Sequence, residues 1–131
     1  MKPAAVLGCL ALVLASCSAS APTTSIDVRV EVPIGETVTV AGGEVGVRLD
    51  AVPQDSRCPG DAMCVSPGHA VADVTLLVDD RETTVSLRTD ASGPTVVARG
   101  VALQLVRLDP YPFFGRPTQP GDYRATLRIV R

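Results

Sequence analysis

The sequence predicts an all-β domain, an antiparallel β-sandwich of about seven or eight strands. Three observations predict it. Apolar and polar residues alternate with period two along most of the chain after Ser25, the period at which a strand turns successive side chains to opposite faces. Glycine, proline and aspartate pairs interrupt that alternation at short intervals, as turns between strands do. The apolar residues are mostly Val, Ala and Leu, which fit between two pleated sheets.

The elements follow in order. Ile26, Val28, Val30 and Val32 alternate with Ser25, Asp27, Arg29 and Glu31, and Val38 and Val40 continue after Gly35. Gly42-Gly43 is a hairpin signal, followed by Val45, Val47 and Leu49. Ala70, Ala72, Val74, Leu76 and Val78 share one face, and Asp79-Asp80 makes a turn into Thr83, Val85 and Leu87. Ser92-Gly93-Pro94 breaks the chain before Val96 and Val97, and Val101, Leu103 and Leu105 resume past Gly100. The last strand places Tyr123, Ala125, Leu127 and Ile129 opposite Arg124, Thr126 and Arg128. No segment sustains apolar residues at i, i+3, i+4 and i+7. An immunoglobulin-like sandwich accommodates these strands, and a small β-barrel is the alternative. The small core residues favour the sandwich.

Two connections are long. One runs from Pro53 to Gly68 and contains Cys58 and Cys64. The other runs from Asp109 to Gly121 and holds Tyr111, Phe113 and Phe114, three of the chain's four aromatics. Loops of this length tend to be functional. The second is a candidate partner-contact tip, or else a flap that folds back to cap the core.

Composition narrows the function classes. With 131 residues there is chain enough for one domain, and 12 basic against 14 acidic residues give no basic patch for nucleic acid. The only lysine is Lys2. Beyond the first sixteen residues there are therefore 11 arginines against 14 acids, a net charge of −3, and no lysine for Schiff-base or general-base chemistry.

The N-terminus reads as an export signal. Lys2 precedes an apolar run from Ala4 to Ala15, too short to span a bilayer as a helix and of the length of a signal h-region. It ends in Leu14-Ala15-Ser16-Cys17, which resembles a bacterial lipobox. The resemblance implies cleavage before Cys17 and acylation of its sulfur and new amine. Several acyl chains, at about 0.8 kcal/mol per buried CH2, anchor a protein firmly to a membrane. Ala19-Ser20-Ala21 offers an alternative: an ordinary signal-peptidase site, giving a soluble secreted protein cleaved after Ala21. The organisation expected is a signal over 1–16, lipidated Cys17 with a flexible polar tether to residue 25, and one domain over 26–131.

Cys58 and Cys64 remain once Cys9 and Cys17 are assigned to the signal and the anchor, and an even pair in an oxidising compartment points to a disulfide. Pro59-Gly60 supplies the turn that lets the chain double back. Closing this short loop restricts the unfolded chain by roughly 2 kcal/mol. The alternative is a metal-binding or sensing site that uses His69 with Cys58 and Cys64, but three ligands fall short of a closed structural zinc site.

Asp55-Ser56-Arg57-Cys58-Pro59, then Cys64, Gly68 and Ala70, resembles a family of small bacterial secreted proteins and lipoproteins. The similarity continues through Leu105-Val106-Arg107-Leu108-Asp109-Pro110-Tyr111-Pro112 and Tyr123-Arg124-Ala125-Thr126-Leu127. Family members often carry Trp-Ala where this chain has Ser66-Pro67. The resemblance implies an exported all-β protein and no particular chemistry.

Catalytic constellations are poorly served. His69 is the only histidine, Ser56, Ser66, Asp55 and Asp61 lie near it in sequence, and no G-x-S-x-G elbow is present. Asp79, Asp80 and Glu82 do not match a calcium loop. Arg124, Arg128 and Arg131 are candidate headgroup contacts or a solvated face with cross-strand partners. The sequence therefore points to a lipid-anchored cell-envelope protein whose domain lies outside the cytoplasm. It is expected to be a non-catalytic binding or structural module, with no cofactor or metal and no nucleic-acid partner, meeting an envelope protein partner through Tyr111, Phe113 and Phe114.

Overall fold

A computed structural model describes residues 25–90 and 96–131. The signal, Cys17, most of the tether and the Ser92-Gly93-Pro94 break lie outside the described residues. Eight strands follow in chain order: β1 Asp27–Pro33, β2 Thr37–Val40, β3 Val45–Asp55, β4 Ala70–Val78, β5 Arg81–Arg88, β6 Val96–Ala98, β7 Val101–Asp109 and β8 Arg124–Val130. They form two four-stranded antiparallel sheets, β1-β8-β7-β6 and β2-β3-β4-β5. The sheets do not close into a barrel, so the sandwich is the architecture and the barrel alternative is set aside. The two-layer arrangement is that of immunoglobulin-like domains, with a different strand order.

The period-two pattern decides what lies between the sheets. Val45, Val47 and Leu49 of β3, Val74 and Leu76 of β4, Val101 and Leu103 of β7, and Ala125, Leu127 and Ile129 of β8 are fully buried. Most polar alternates lie on the outer faces, where ion pairs such as Arg128–Asp27 and Arg124–Glu31 bridge β8 to β1; Thr75 of β4 is buried and donates to Asp50. The phase slips once within β7. Leu105 pairs with Leu127 and Arg107 with Thr126, so Val106 is an extra residue in the ladder. This β-bulge turns Arg107 outward and carries Leu108 into the core. Further irregularities in β3 extend that strand through Pro53 to Asp55, so the first long connection is shorter than the sequence pattern indicates.

Two hairpins turn on two residues each. Asp79 and Asp80 take φ of 51° and 57°, and Arg99 and Gly100 take 49° and 72°. Paired positive φ values of this kind give the turn whose twist matches its flanking strands.

The ladders give the sandwich two distinct poles. Ile26 pairs with Arg131 through reciprocal backbone hydrogen bonds of 3.0 Å, and Arg131 reaches Glu44 across to the other sheet at 3.8 Å. The Asp79-Asp80 and Arg99-Gly100 turns share this pole, since Val45 pairs with Val78 and Ala102 with Val130. The opposite ends of the strands, Pro33, Asp55, Ala70, Asp109 and Arg124, carry both long loops. Nine residues of β4 at about 3.3 Å each separate the poles by roughly 30 Å.

The core position of β8 generates a test. Leu127→Ala should cost about 2–5 kcal/mol in urea unfolding, whereas Thr126→Ala on the outer face should stay within about 0.5 kcal/mol.

Candidate functional site

The loop pole is built around one buried guanidinium. Arg57 is only 8% exposed. Its Nε donates to Asp55 Oδ1 at 2.8 Å and its Nη2 to Asp55 Oδ2 at 2.7 Å, a bidentate pair. Nη1 donates to the Leu108 carbonyl at 2.7 Å and Nη2 to the Pro110 carbonyl at 3.0 Å. The Tyr111 ring lies 5.2 Å from the guanidinium carbon. From β8's start, the Tyr123 hydroxyl donates to Asp55 Oδ2 at 3.0 Å. The end of β3, the end of β7 and the start of β8 are thus tied to one ion pair.

Electrostatics follow from this geometry. Burial alone pushes the Asp55 carboxyl upward, but the hydrogen bonds and charge of Arg57, helped by the Tyr123 hydroxyl, outweigh it and hold the carboxyl below its ordinary 3.8. Tyr123 is pushed up from 10.0 to about 12, by burial first and then by the neighbouring Asp55 carboxylate. The signs differ. Asp55's contribution to stability is present above its unfolded value and is lost as pH falls through its lowered folded value. Tyr123's is complete below pH 10 and is lost as pH rises toward 12.

The stapled loop is pinned at its base and at its tip. Cys58 and Cys64 form the expected disulfide, with Cα atoms 5.9 Å apart. At the base, the Ser56 N–H donates to the His69 carbonyl and the Cys58 N–H to the Pro67 carbonyl, both at 2.8 Å. Gly68 sits in this ladder at φ +64°, and a Cβ there would overlap the Ser56 carbonyl oxygen. Glycine is therefore required for backbone as well as steric reasons. At the tip, the Gly60 N–H donates to the Pro112 carbonyl at 2.9 Å, and the Phe114 N–H donates to Asp61 Oδ1 at 2.9 Å. That N–H is the main reason the Asp61 carboxyl lies below its ordinary range. Phe113 packs where a side chain on residue 60 would stand, 2.8 Å from that position. The two long loops therefore form one body.

Beside this body lies an open groove of about 980 Å3 between β7, β8 and the loop that joins them. Arg107, Arg116, Arg124, Tyr111 and Phe113 are among the residues that line it. Arg116 rests over Phe113, 5.6 Å from the ring centroid. Arg107 pairs with Asp109 at 2.7 Å and Arg124 with Glu31 at 3.2 Å.

The residues singled out from the sequence are distributed around this pole. Tyr111, Phe113 and Phe114 do not cap the core; all three are exposed, Phe114 at 74%. They stand instead against the stapled loop. Ser56 engages His69 only through the latter's backbone, its hydroxyl donating to the His69 carbonyl at 2.9 Å and accepting its N–H. The disulfide occupies both thiols of the metal alternative. Among the described residues no group of three or more His, Cys, Asp and Glu side chains is placed to hold a metal ion. Arg124, Arg128 and Arg131 have acidic partners on neighbouring elements, Glu31, Asp27 and Glu44. Sequence reasoning missed the buried role of Arg57 and the arginine groove. An Asp-x-Arg pair at the mouth of a disulfide loop was the available signal for the first.

Comparisons with protein-family models, with curated proteins and with solved structures give no match.

Two outcomes test this site. Arg57→Leu should destabilise the domain by about 3–5 kcal/mol in chemical denaturation, because it strands the Asp55 carboxylate and two carbonyls away from water. The chain has two tyrosines, so a Tyr111→Phe variant isolates Tyr123. Its phenolate absorbance should rise near pH 12 and not near 10, provided the fold persists by circular dichroism over that range.

Proposed function

We propose that the chain is a lipid-anchored, non-catalytic binding module of the cell envelope, with the loop pole as its contact surface. The observation that carries this reading is the opposition of the two poles. The chain enters the domain at Ile26, beside Arg131, and the docked loops lie at the far ends of the same strands. A domain hung from Cys17 by the polar tether would present those loops away from the bilayer.

The remaining support is chemical. Leu14-Ala15-Ser16-Cys17 has the residue types that a lipoprotein peptidase and an acyltransferase act on. The Cys58–Cys64 disulfide suits an oxidising compartment. Exposed aromatic rings on a rigid frame supply contact area at small entropic cost, a recurrent property of binding surfaces.

Fractionation of cells that make the protein tests the reading. The parent should sediment with membranes and carry acyl chains on Cys17 by mass spectrometry, and Cys17→Ala should move it to the soluble fraction. Unchanged sedimentation of Cys17→Ala, or a soluble parent beginning at Pro22, contradicts the proposal.

A further inference from the structure

We infer that the return arm of the stapled loop, Met63-Cys64-Val65, enters the cleft of a serine endopeptidase that prefers an apolar side chain, and that the domain inhibits such an enzyme by binding as a substrate mimic. The inference rests on the reading of the loop pole as a contact surface and names its partner. Met63 is 103% and Val65 110% exposed, the fullest exposure of any large apolar side chain among the described residues. The sulfur of Cys64, between them, turns back to Cys58. Alternate residues of an extended chain point to opposite sides in this way. The chain neither turns nor bends at Met63 and Cys64. Among the described residues, no hydrogen bond reaches the backbone N–H or carbonyl groups of Met63, Cys64 or Val65.

Both ends of this free arm are fixed. Before it, the Ala62 N–H donates to the Pro59 carbonyl at 3.0 Å and closes a turn, and Gly60 and Asp61 dock that turn on the second loop. After it, the Pro67 carbonyl accepts the Cys58 N–H at 2.8 Å. Within it, Cys64 is held covalently. Free backbone groups on a frame already held in place lose little freedom when a partner pairs with them.

The dimensions of the arm select the partner. Addition to the edge of a partner's sheet uses a strand's length of free backbone, about five or six residues, and here the ends on either side of Met63-Cys64-Val65 are tied. A peptidase cleft reads a few residues by main-chain hydrogen bonds and takes one side chain into a pocket. Met63, unbranched and apolar, suits a deep apolar pocket. The staple separates inhibition from digestion. If the enzyme's serine oxygen bonds to the Met63 carbonyl carbon, the Cys64 amine leaves with a proton from the enzyme. The disulfide and the Cys58–Pro67 hydrogen bond keep that amine on the same body as the new ester, so it attacks the ester, returns the proton and restores the peptide bond.

The test titrates the full chain in mild detergent against chymotrypsin, whose pocket is apolar, and trypsin, whose pocket is acidic, with a chromogenic substrate reporting each. The parent should inhibit chymotrypsin saturably and competitively. Met63→Lys, with an unchanged circular dichroism spectrum, should inhibit chymotrypsin about thirtyfold less well and should gain inhibition of trypsin. Reduction and alkylation of Cys58 and Cys64 should turn the parent into a substrate cut after Met63, as read by mass spectrometry. The inference is overturned if the parent leaves chymotrypsin uninhibited or if Met63→Lys inhibits both enzymes as the parent does. Cleavage of the oxidised parent after Met63 as fast as that of the reduced chain also overturns it. Because the assay uses purified protein, its failure is separate from a failure of membrane attachment.

Discussion

The Asp55–Arg57 pair is the constraint on which the loop pole depends. Removing two charges from water is costly, and an ion pair alone does not recover that cost. Here the deficit is met by geometry. Both carboxylate oxygens are used by the guanidinium, two backbone carbonyls take further N–H groups, a phenol supplies one more donor, and an aromatic face covers the cation. The price of burial is thereby converted into position, because the partners come from three segments of chain.

The other stabilising devices cannot substitute for it. The disulfide closes a short loop between cysteines six positions apart and acts on the unfolded chain. It says nothing about where that loop sits relative to β7. Ion pairs on the sheet faces, such as Arg48–Asp50 and Arg128–Asp27, are solvated and screened. The buried pair, the Gly60 and Phe114 backbone hydrogen bonds at the tip and the packing of Phe113 on Gly60 fix the two loops against each other. A rigid pole is what a binding surface requires if it is to avoid ordering itself on contact.

Much of this was legible in the residues, and the parts that were not have physical reasons. The alternation in Ala70–Val78 and Tyr123–Ile129 identified buried faces correctly, because both strands run without irregularity and lie inside their sheets. The pattern failed at Leu108, where the Val106 bulge shifts the phase by one residue. It also failed at Pro53 to Asp55, since a strand bearing a proline and a register shift no longer alternates cleanly. Cys58 and Cys64 could be paired by elimination. The position of Arg57 could not be found that way, because its partners Leu108 and Pro110 are more than fifty residues distant and contribute only backbone oxygens, which sequence does not distinguish. The residues that carry the family resemblance, Asp55, Arg57, Cys58, Gly68, Pro110, Tyr111 and Tyr123, meet around this one network. Their placement gives that motif a structural role.

Native-state hydrogen exchange tests most directly whether the two loops are one unit. The amides of Cys58, Gly60 and Phe114 sit in three different hydrogen bonds, to Pro67, Pro112 and Asp61. If the buried pair governs the pole, all three should open with a single free energy and the same denaturant dependence, while core amides such as that of Leu127 remain protected. Separate opening energies for Cys58 on one loop and Phe114 on the other would mean that the loops move independently, and would contradict the account.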